Sequence, residues 1–288
     1  MTHSAVRNPH SALIRVLVVD DSNFMRAALT QMLKSDRSVD VVGTAADGEN
    51  AVQRVKQLRP DVVLLDIEMP GMDGLAALAH IMAECPTPVL MLSGLNKRDA
   101  AIAIKSLDHG AVDFISKPSG VISFDIDKLS SEIITKVKAA ASARLRKLDL
   151  RLPEESHQRG RPKLETKKSI IVIGASTGGP AAVAEVLSAL PRDISTAIIV
   201  IQHMGPQFVP SFVERLQWGC SLNISIARKG QTISPGRALI APGGYHTRIV
   251  QNGHTKKIRL SGQASPNRVC PSVDYAMESV AKIGRAHV

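Results

Sequence analysis

Two α/β domains joined by a charged linker are the architecture this sequence predicts, and three observations predict it. At 288 residues the chain exceeds what one hydrophobic core usually serves, so two units of about 120 to 150 residues are expected. Short aliphatic runs alternate with amphipathic stretches through residues 13–138 and again through residues 169–288, the text of strands and crossover helices in parallel sheets. Between them, residues 139–168 start helix-like and become a Pro-containing, strongly charged stretch without sustained periodicity, which is linker composition.

In the first domain the apolar runs are Val16–Val19, Val39–Val42, Val62–Leu65, Val89–Leu92 and Phe114–Ile115. Fully apolar runs fit the buried strands of a doubly wound, five-stranded parallel sheet, whose ligands collect beyond the carboxyl ends of the strands. The first run ends in Asp20-Asp21, the third in Asp66, the fourth in Ser93-Gly94, and the fifth is followed by Lys117-Pro118. Three carboxylates gathered at one edge need a cation, and hard oxygen ligands suit Mg²⁺. The hydroxyl and the ammonium turn the same edge into an anion site. A single Asp after a strand is ordinary turn or cap chemistry; five matching positions in order are not.

Those segments, VLVVDDS, LLDIEMPGMDG, MLSG and FISKP, resemble the signature of the receiver domain of bacterial response regulators, a flavodoxin-like fold. The resemblance covers residues 13–138. It implies that Asp66 takes a phosphoryl group from a histidine kinase and that Asp20, Asp21, Asp66 and the backbone carbonyl of Glu68 hold Mg²⁺. It also implies that Ser93 and Lys117 bind phosphoryl oxygens, that the Lys117-Pro118 bond is cis, and that Phe114 is a switch aromatic. For Phe114 simple core packing is the competing reading.

The second domain opens with SIIVIGASTGGP: an aliphatic strand, a sharp glycine-rich turn centred on Ser176, then helical text. Gly174 to Gly178 fits G-x-S-x-G, in which small neighbours let the chain turn tightly and expose the serine oxygen. The helix start supplies unpaired N–H groups and a positive dipole end for an oxyanion. The glycines miss the dinucleotide spacing and no lysine follows as in a phosphate loop. The next run, Ala197 to Ile201, ends in Gln202-His203; on an adjacent parallel strand, His203 reaches Ser176 as a general base. His246 and His254 stand in turn-rich text (PGGYHT, QNGHTK), where an exposed histidine is expected. The only Asp between Ser176 and His203 is Asp193, before a strand and at its wrong end, which disfavours an α/β-hydrolase order.

GASTGGP, QHMGPQFVPSFVERL, ALIAPGGYH and PSVDYAMESVAK together resemble the catalytic domain of the chemotaxis protein-glutamate methylesterases. The resemblance implies Ser176 as nucleophile, His203 as base and the Thr177 backbone N–H as an oxyanion donor. It implies, as substrate, glutamyl methyl esters on the cytoplasmic helices of methyl-accepting chemoreceptors, with glutamine deamidation as a second activity and no cofactor for the ester step. The family pattern continues with a further strand and a G-M-G-x-D-G segment whose Asp orients the histidine; here IGRAHV follows. A catalytic domain of residues 169–288, truncated at its C-terminus and a poor esterase, is therefore expected. Asp274 falls in the PSVD segment, to which the resemblance gives no triad role. The alternative is a receiver protein acting as phosphate sink or docking module.

Bulk numbers set the remaining bounds. With 44% hydrophobic and 22% charged residues the chain folds rather than staying disordered. Aromatics at 3% exclude a broad stacking platform for single-stranded nucleic acid. Residues 1–138 hold 15 Lys and Arg against 17 Asp and Glu, while residues 169–288 hold 12 against 5. With no helix-turn-helix or zinc pattern in that basic half, an acidic protein partner is expected and no nucleic acid. Cys85, Cys220 and Cys270 are odd in number and far apart, so reduced, buried thiols are expected. The start of the chain lacks a signal pattern and no apolar run reaches 18 residues, which predicts a cytoplasmic protein without membrane insertion.

Overall fold

A computed structural model of the chain describes residues 13–117, 126–143, 169–253, 255–262 and 270–285 and divides into two compact units. Most of the expected linker, together with Pro118, its expected cis bond and His254, lies outside the described residues.

The first unit is built on strands β1 (Ile14–Val19), β2 (Val39–Ala45), β3 (Val62–Asp66), β4 (Val89–Ser93) and β5 (Asp113–Ser116). They form one parallel sheet in the order β2-β1-β3-β4-β5, so the order reverses between β1 and β3, where such sheets bind ligands. Every residue of β3 and β4 is buried, which is why both read as unbroken apolar runs. The connections carry α1 (Asn23–Lys34), α2 (Gly48–Leu58), α3 (Gly74–Glu84), α4 (Lys97–Ser106) and α5 (Ile126–Ala141). Ser22, Asp47 and Asp73 accept from the first-turn N–H groups of α1, α2 and α3, each worth about 1 kcal/mol. Asp47 and Asp73 are thus the ordinary capping acids of this domain, and Asp20 and Asp66 are not. Leu29, Leu33, Val16, Leu64, Leu90 and Ile133 meet in one core, each side chain contributing about 1.5–3 kcal/mol on burial.

The second unit has a parallel sheet of β6 (Ile170–Ala175), β7 (Ala197–Gln202), β8 (Asn223–Ile226) and β9 (Arg237–Ile240), in the order β6-β7-β9-β8. Helices α6 (Gly179–Ser188) and α7 (Val209–Gly219) follow β6 and β7. An antiparallel hairpin, β10 (His246–Asn252) with β11 (Thr255–Ser261), and a final helix α8 (Val273–Arg285) complete it. Ile199, Ile201, Leu239, Ile249, Ile258 and Ala276 share its core. Central β7 is buried throughout.

Two expectations are corrected. His246 is not an exposed turn residue: it opens β10 with 0% exposure, because the PGGY turn ends one residue earlier and Tyr275 of α8 covers the histidine ring. Its ring stacks on Tyr275 with centroids 4.5 Å apart, and Nδ1 accepts the Ser272 N–H at 3.1 Å. The cysteines are free, but only Cys85 is buried; Cys220 and Cys270 are half-buried, enough for burial to push both thiols up. Among the described residues, no helix is long and apolar enough to cross a membrane.

Candidate active sites at two sheet edges

Val19 of β1 lies in register with Leu65 of β3, so Asp20 and Asp66 leave the sheet at the same level. Oxygens of Asp20, Asp21 and Asp66 all fall within 4.8 Å of one another; Asp20 and Asp66 are buried and Asp21 is exposed. The Lys117 ammonium stands 3.0 Å from Asp20 Oδ2 and 2.7 Å from Asp66 Oδ2. Burial lifts the Asp66 carboxyl to about 6 against the opposing pull of Lys117, with the Asp20 charge adding to the rise. At Lys117, burial works downward, but the bonds and charges of Asp66 and Asp20 outweigh it and the ammonium is held up. The site is therefore a nest of oxygen donors whose carboxylates are only partly neutralised by Lys117, with Arg26 on the Asp20 and Asp21 carbonyls.

The remaining predicted residues of this edge fall around it. Ser93 is fully buried at the end of β4; its hydroxyl donates to the Gly94 carbonyl at 3.1 Å, and its own carbonyl accepts the Lys117 N–H at 2.8 Å. The Glu68 N–H donates to Asp66 Oδ1 at 3.4 Å. Phe114 is 3% exposed on β5, with the Lys136 ammonium 5.5 Å from its ring centre. Helix α3 starts so close that a methyl group on Gly74 would lie 1.9 Å from the Asp66 carbonyl oxygen. The set of hard oxygen donors, one of them open to solvent, fits a divalent cation such as Mg²⁺.

At the second edge Ala175 of β6 pairs with Gln202 of β7, and the His203 N–H donates to the Ala175 carbonyl at 2.9 Å. The next residues on each strand, Ser176 and His203, meet: His203 Nδ1 is 3.2 Å from Ser176 Oγ. Gly178, at φ +73, turns the chain into α6, and Pro180 occupies its first turn. That helix has neither a side-chain cap nor an acid in its first turn, so its positive end stays uncompensated beside Ser176. Thr177 lies between the serine and Gly178, half-buried. Asp274 sits exposed in the first turn of α8.

Sequence reasoning missed Gln202. It is 2% exposed, and its amide Nε2 donates to the Ser176 carbonyl at 3.0 Å and the His203 carbonyl at 3.3 Å. Its only signal in the sequence is one amide ending an otherwise aliphatic strand. Around it the packing is tight: a methyl on Gly179 would sit 2.3 Å from Gln202 Oε1, and one on Gly174 2.4 Å from Val273.

An acid cluster beside a lysine on one unit and a serine–histidine pair on the other fit a response regulator with a hydrolase output domain. Residues 16–126 match the profile described as response regulator receiver domain, and residues 171–288 the one described as CheB methylesterase. Over 270 residues the chain is 43% identical to a protein-glutamate methylesterase/protein-glutamine glutaminase of Halalkalibacterium halodurans, a match spanning 94% of this chain and 78% of the relative. A relative of the same name from Pyrococcus abyssi is 39% identical over 274 residues, 94% of this chain and 74% of that one. The chain belongs to the CheB family of protein-glutamate methylesterases/protein-glutamine glutaminases and is a hydrolase of that kind. Among solved structures it is similar to the response regulator domain of Thermotoga maritima CheB, at 46% identity over 46% of this chain and 98% of that one with a TM-score of 0.43. The CheB catalytic domain of the same organism gives 34% identity over 40% and 61% of the two chains, with a TM-score of 0.40.

Proposed function

We propose that residues 169–288 remove methyl groups from glutamyl esters, and deamidate glutamines, on the cytoplasmic helices of methyl-accepting chemoreceptors. Residues 13–138 would act as a receiver that a chemotaxis histidine kinase phosphorylates at Asp66 to control that activity, with residues 139–168 as the linker and the cytoplasm as the place of action. The observation that carries the reading is the 3.2 Å approach of His203 Nδ1 to Ser176 Oγ across two register-matched strands, hydrogen-bond reach for proton abstraction.

Ser176 Oγ attacks the ester carbonyl while His203 takes its proton. The Thr177 N–H, at the positive end of α6, stabilises the tetrahedral oxyanion, a donor worth a factor of about 10²–10³ in turnover. His203 returns the proton to the departing methanol, or ammonia from glutamine, and water activated by the same histidine frees glutamate and Ser176. The ester step needs no cofactor. In the receiver, an Asp66 oxygen forms a bond to phosphorus as the phosphohistidine N–P bond breaks. Lys117 and Ser93 pair with the phosphoryl oxygens, and Phe114 reports the change from β5. Asp20, Asp21, Asp66 and the Glu68 carbonyl would hold Mg²⁺, which when bound neutralises charge on the transferring group.

The test is methanol release from methylated receptor with and without acetyl phosphate. Ser176→Ala should lose about 10⁴-fold or more, and Asp66→Ala should keep its basal rate but lose stimulation. Undiminished turnover by Ser176→Ala would remove Ser176 from the mechanism.

A further inference from the structure

We propose that Gln202 is a positioning residue that aims the oxyanion donor of the Ser176 turn. The proposal rests on Ser176 and His203 being the catalytic pair. Its carboxamide is buried under the turn and holds two carbonyls at once, Ser176 at 3.0 Å and His203 at 3.3 Å. Because the peptide unit is planar and trans, fixing the Ser176 carbonyl also fixes the N–H at the other end of the same plane, that of Thr177. With the carbonyl drawn inward to Gln202, the Thr177 N–H points the opposite way, outward over the exposed side of Ser176. The Gly179 N–H, which donates to the same carbonyl at 2.7 Å, completes the anchor.

The orientation of the amide is fixed by its neighbours. Exchanging nitrogen and oxygen would set an acceptor against two carbonyl oxygens and leave the NH₂ without either of them. As placed, Oε1 is buried with no hydrogen-bond partner among the described residues, packed against the Gly179 backbone. An unpaired buried acceptor is a cost that a methionine of similar volume would avoid. The two hydrogen bonds donated by Nε2 offset that cost, and what they hold is the setting of two peptide planes beside Ser176.

The experiment is labelling of the full chain by a fluorophosphonate ester, in which Ser176 Oγ bonds to phosphorus, fluoride leaves and His203 takes the hydroxyl proton. Rates are read across pH 6 to 8.5, the labelled residue is identified by mass spectrometry, and each rate is expressed per folded molecule and as a ratio to wild type. Gln202→Met should label about 10- to 100-fold more slowly, part of the worth of one oxyanion donor, at a ratio independent of pH, and should lower kcat on methylated receptor while leaving KM unchanged. Gln202→Glu, nearly isosteric, should be slow when ionised, because its carboxylate faces two carbonyls, and its ratio should climb as pH falls and its protonated form donates to one of them. Wild-type labelling by Gln202→Met overturns the proposal. Should that variant not fold, a pH-independent ratio for Gln202→Glu overturns it equally. Absence of wild-type labelling at Ser176 overturns the catalytic pair itself, and the proposal with it.

Discussion

Gly74 opens α3 directly over Asp66, and a single methyl group there would come within 1.9 Å of the Asp66 carbonyl oxygen. The obstacle is backbone, so no rotamer change relieves it. Gly74→Ala should destabilise the first unit by about 1–3 kcal/mol in a denaturant titration and slow acetyl-phosphate labelling of Asp66, because the strand end must shift to admit the methyl. Unchanged stability would mean that α3 can recede freely. Single residues were legible in the sequence where a polar group closes an aliphatic run: Asp20, Asp66, Ser93, Lys117, Ser176 and His203 all come to the edges expected of them. Two were not. His246 follows a Pro-Gly-Gly-Tyr turn, and nothing in local text tells that the strand begins on it or that Tyr275, far along the chain, covers its ring. Gln202 acts through carbonyls of other residues, and backbone groups carry no sequence signal.

At the scale of elements, β5 shows how burial of charge hides a strand. The text suggests only Phe114–Ile115, yet the strand runs Asp113–Ser116. Asp113 is 2% exposed, and its burial is tolerated because the Lys136 ammonium of α5 stands 3.0 Å from Oδ2 while the Phe114 N–H donates to Oδ1 at 2.8 Å. Lys136 also donates to the Phe114 carbonyl at 2.7 Å, tying α5 to β5 beside the aromatic. Burial pushes the Asp113 carboxyl up, against the pull of Lys136 and the Phe114 N–H. A carboxyl raised in the folded state favours folding below its unfolded value and withdraws that advantage as pH climbs through the folded one. Lys136→Met removes the main opposing charge, so it should cost about 3–5 kcal/mol at neutral pH and distinctly less at acidic pH, as Asp113 takes up a proton. Denaturant titrations at neutral and acidic pH check this; an equal loss at each would show that Asp113 is not the group left unpaired.

Across the whole molecule, charge is divided as sharply as fold. The first 138 residues are slightly acidic, while residues 169–288 carry 12 basic groups against 5 acidic. If that half meets an acidic receptor surface, encounter is steered by long-range attraction and screened over about 10 Å at 0.1 M salt. Raising the salt to about 0.5 M should therefore lower kcat/KM for methylated receptor several-fold and leave kcat unchanged, as followed by methanol release; a salt-independent kcat/KM would leave the basic surface without a part in capture. The two units also share a dependence on register: Val19 faces Leu65 and Ala175 faces Gln202, and each site exists only because the chains emerge level. Aliphatic residues along these strands can replace one another with modest loss, but their number cannot change. Deleting one residue from β7 would set His203 against Ala175 and carry Met204 to Ser176. Such segments are inherited as a reading frame is, by count before content, and insertions or deletions in them should silence the chemistry where substitutions only weaken it.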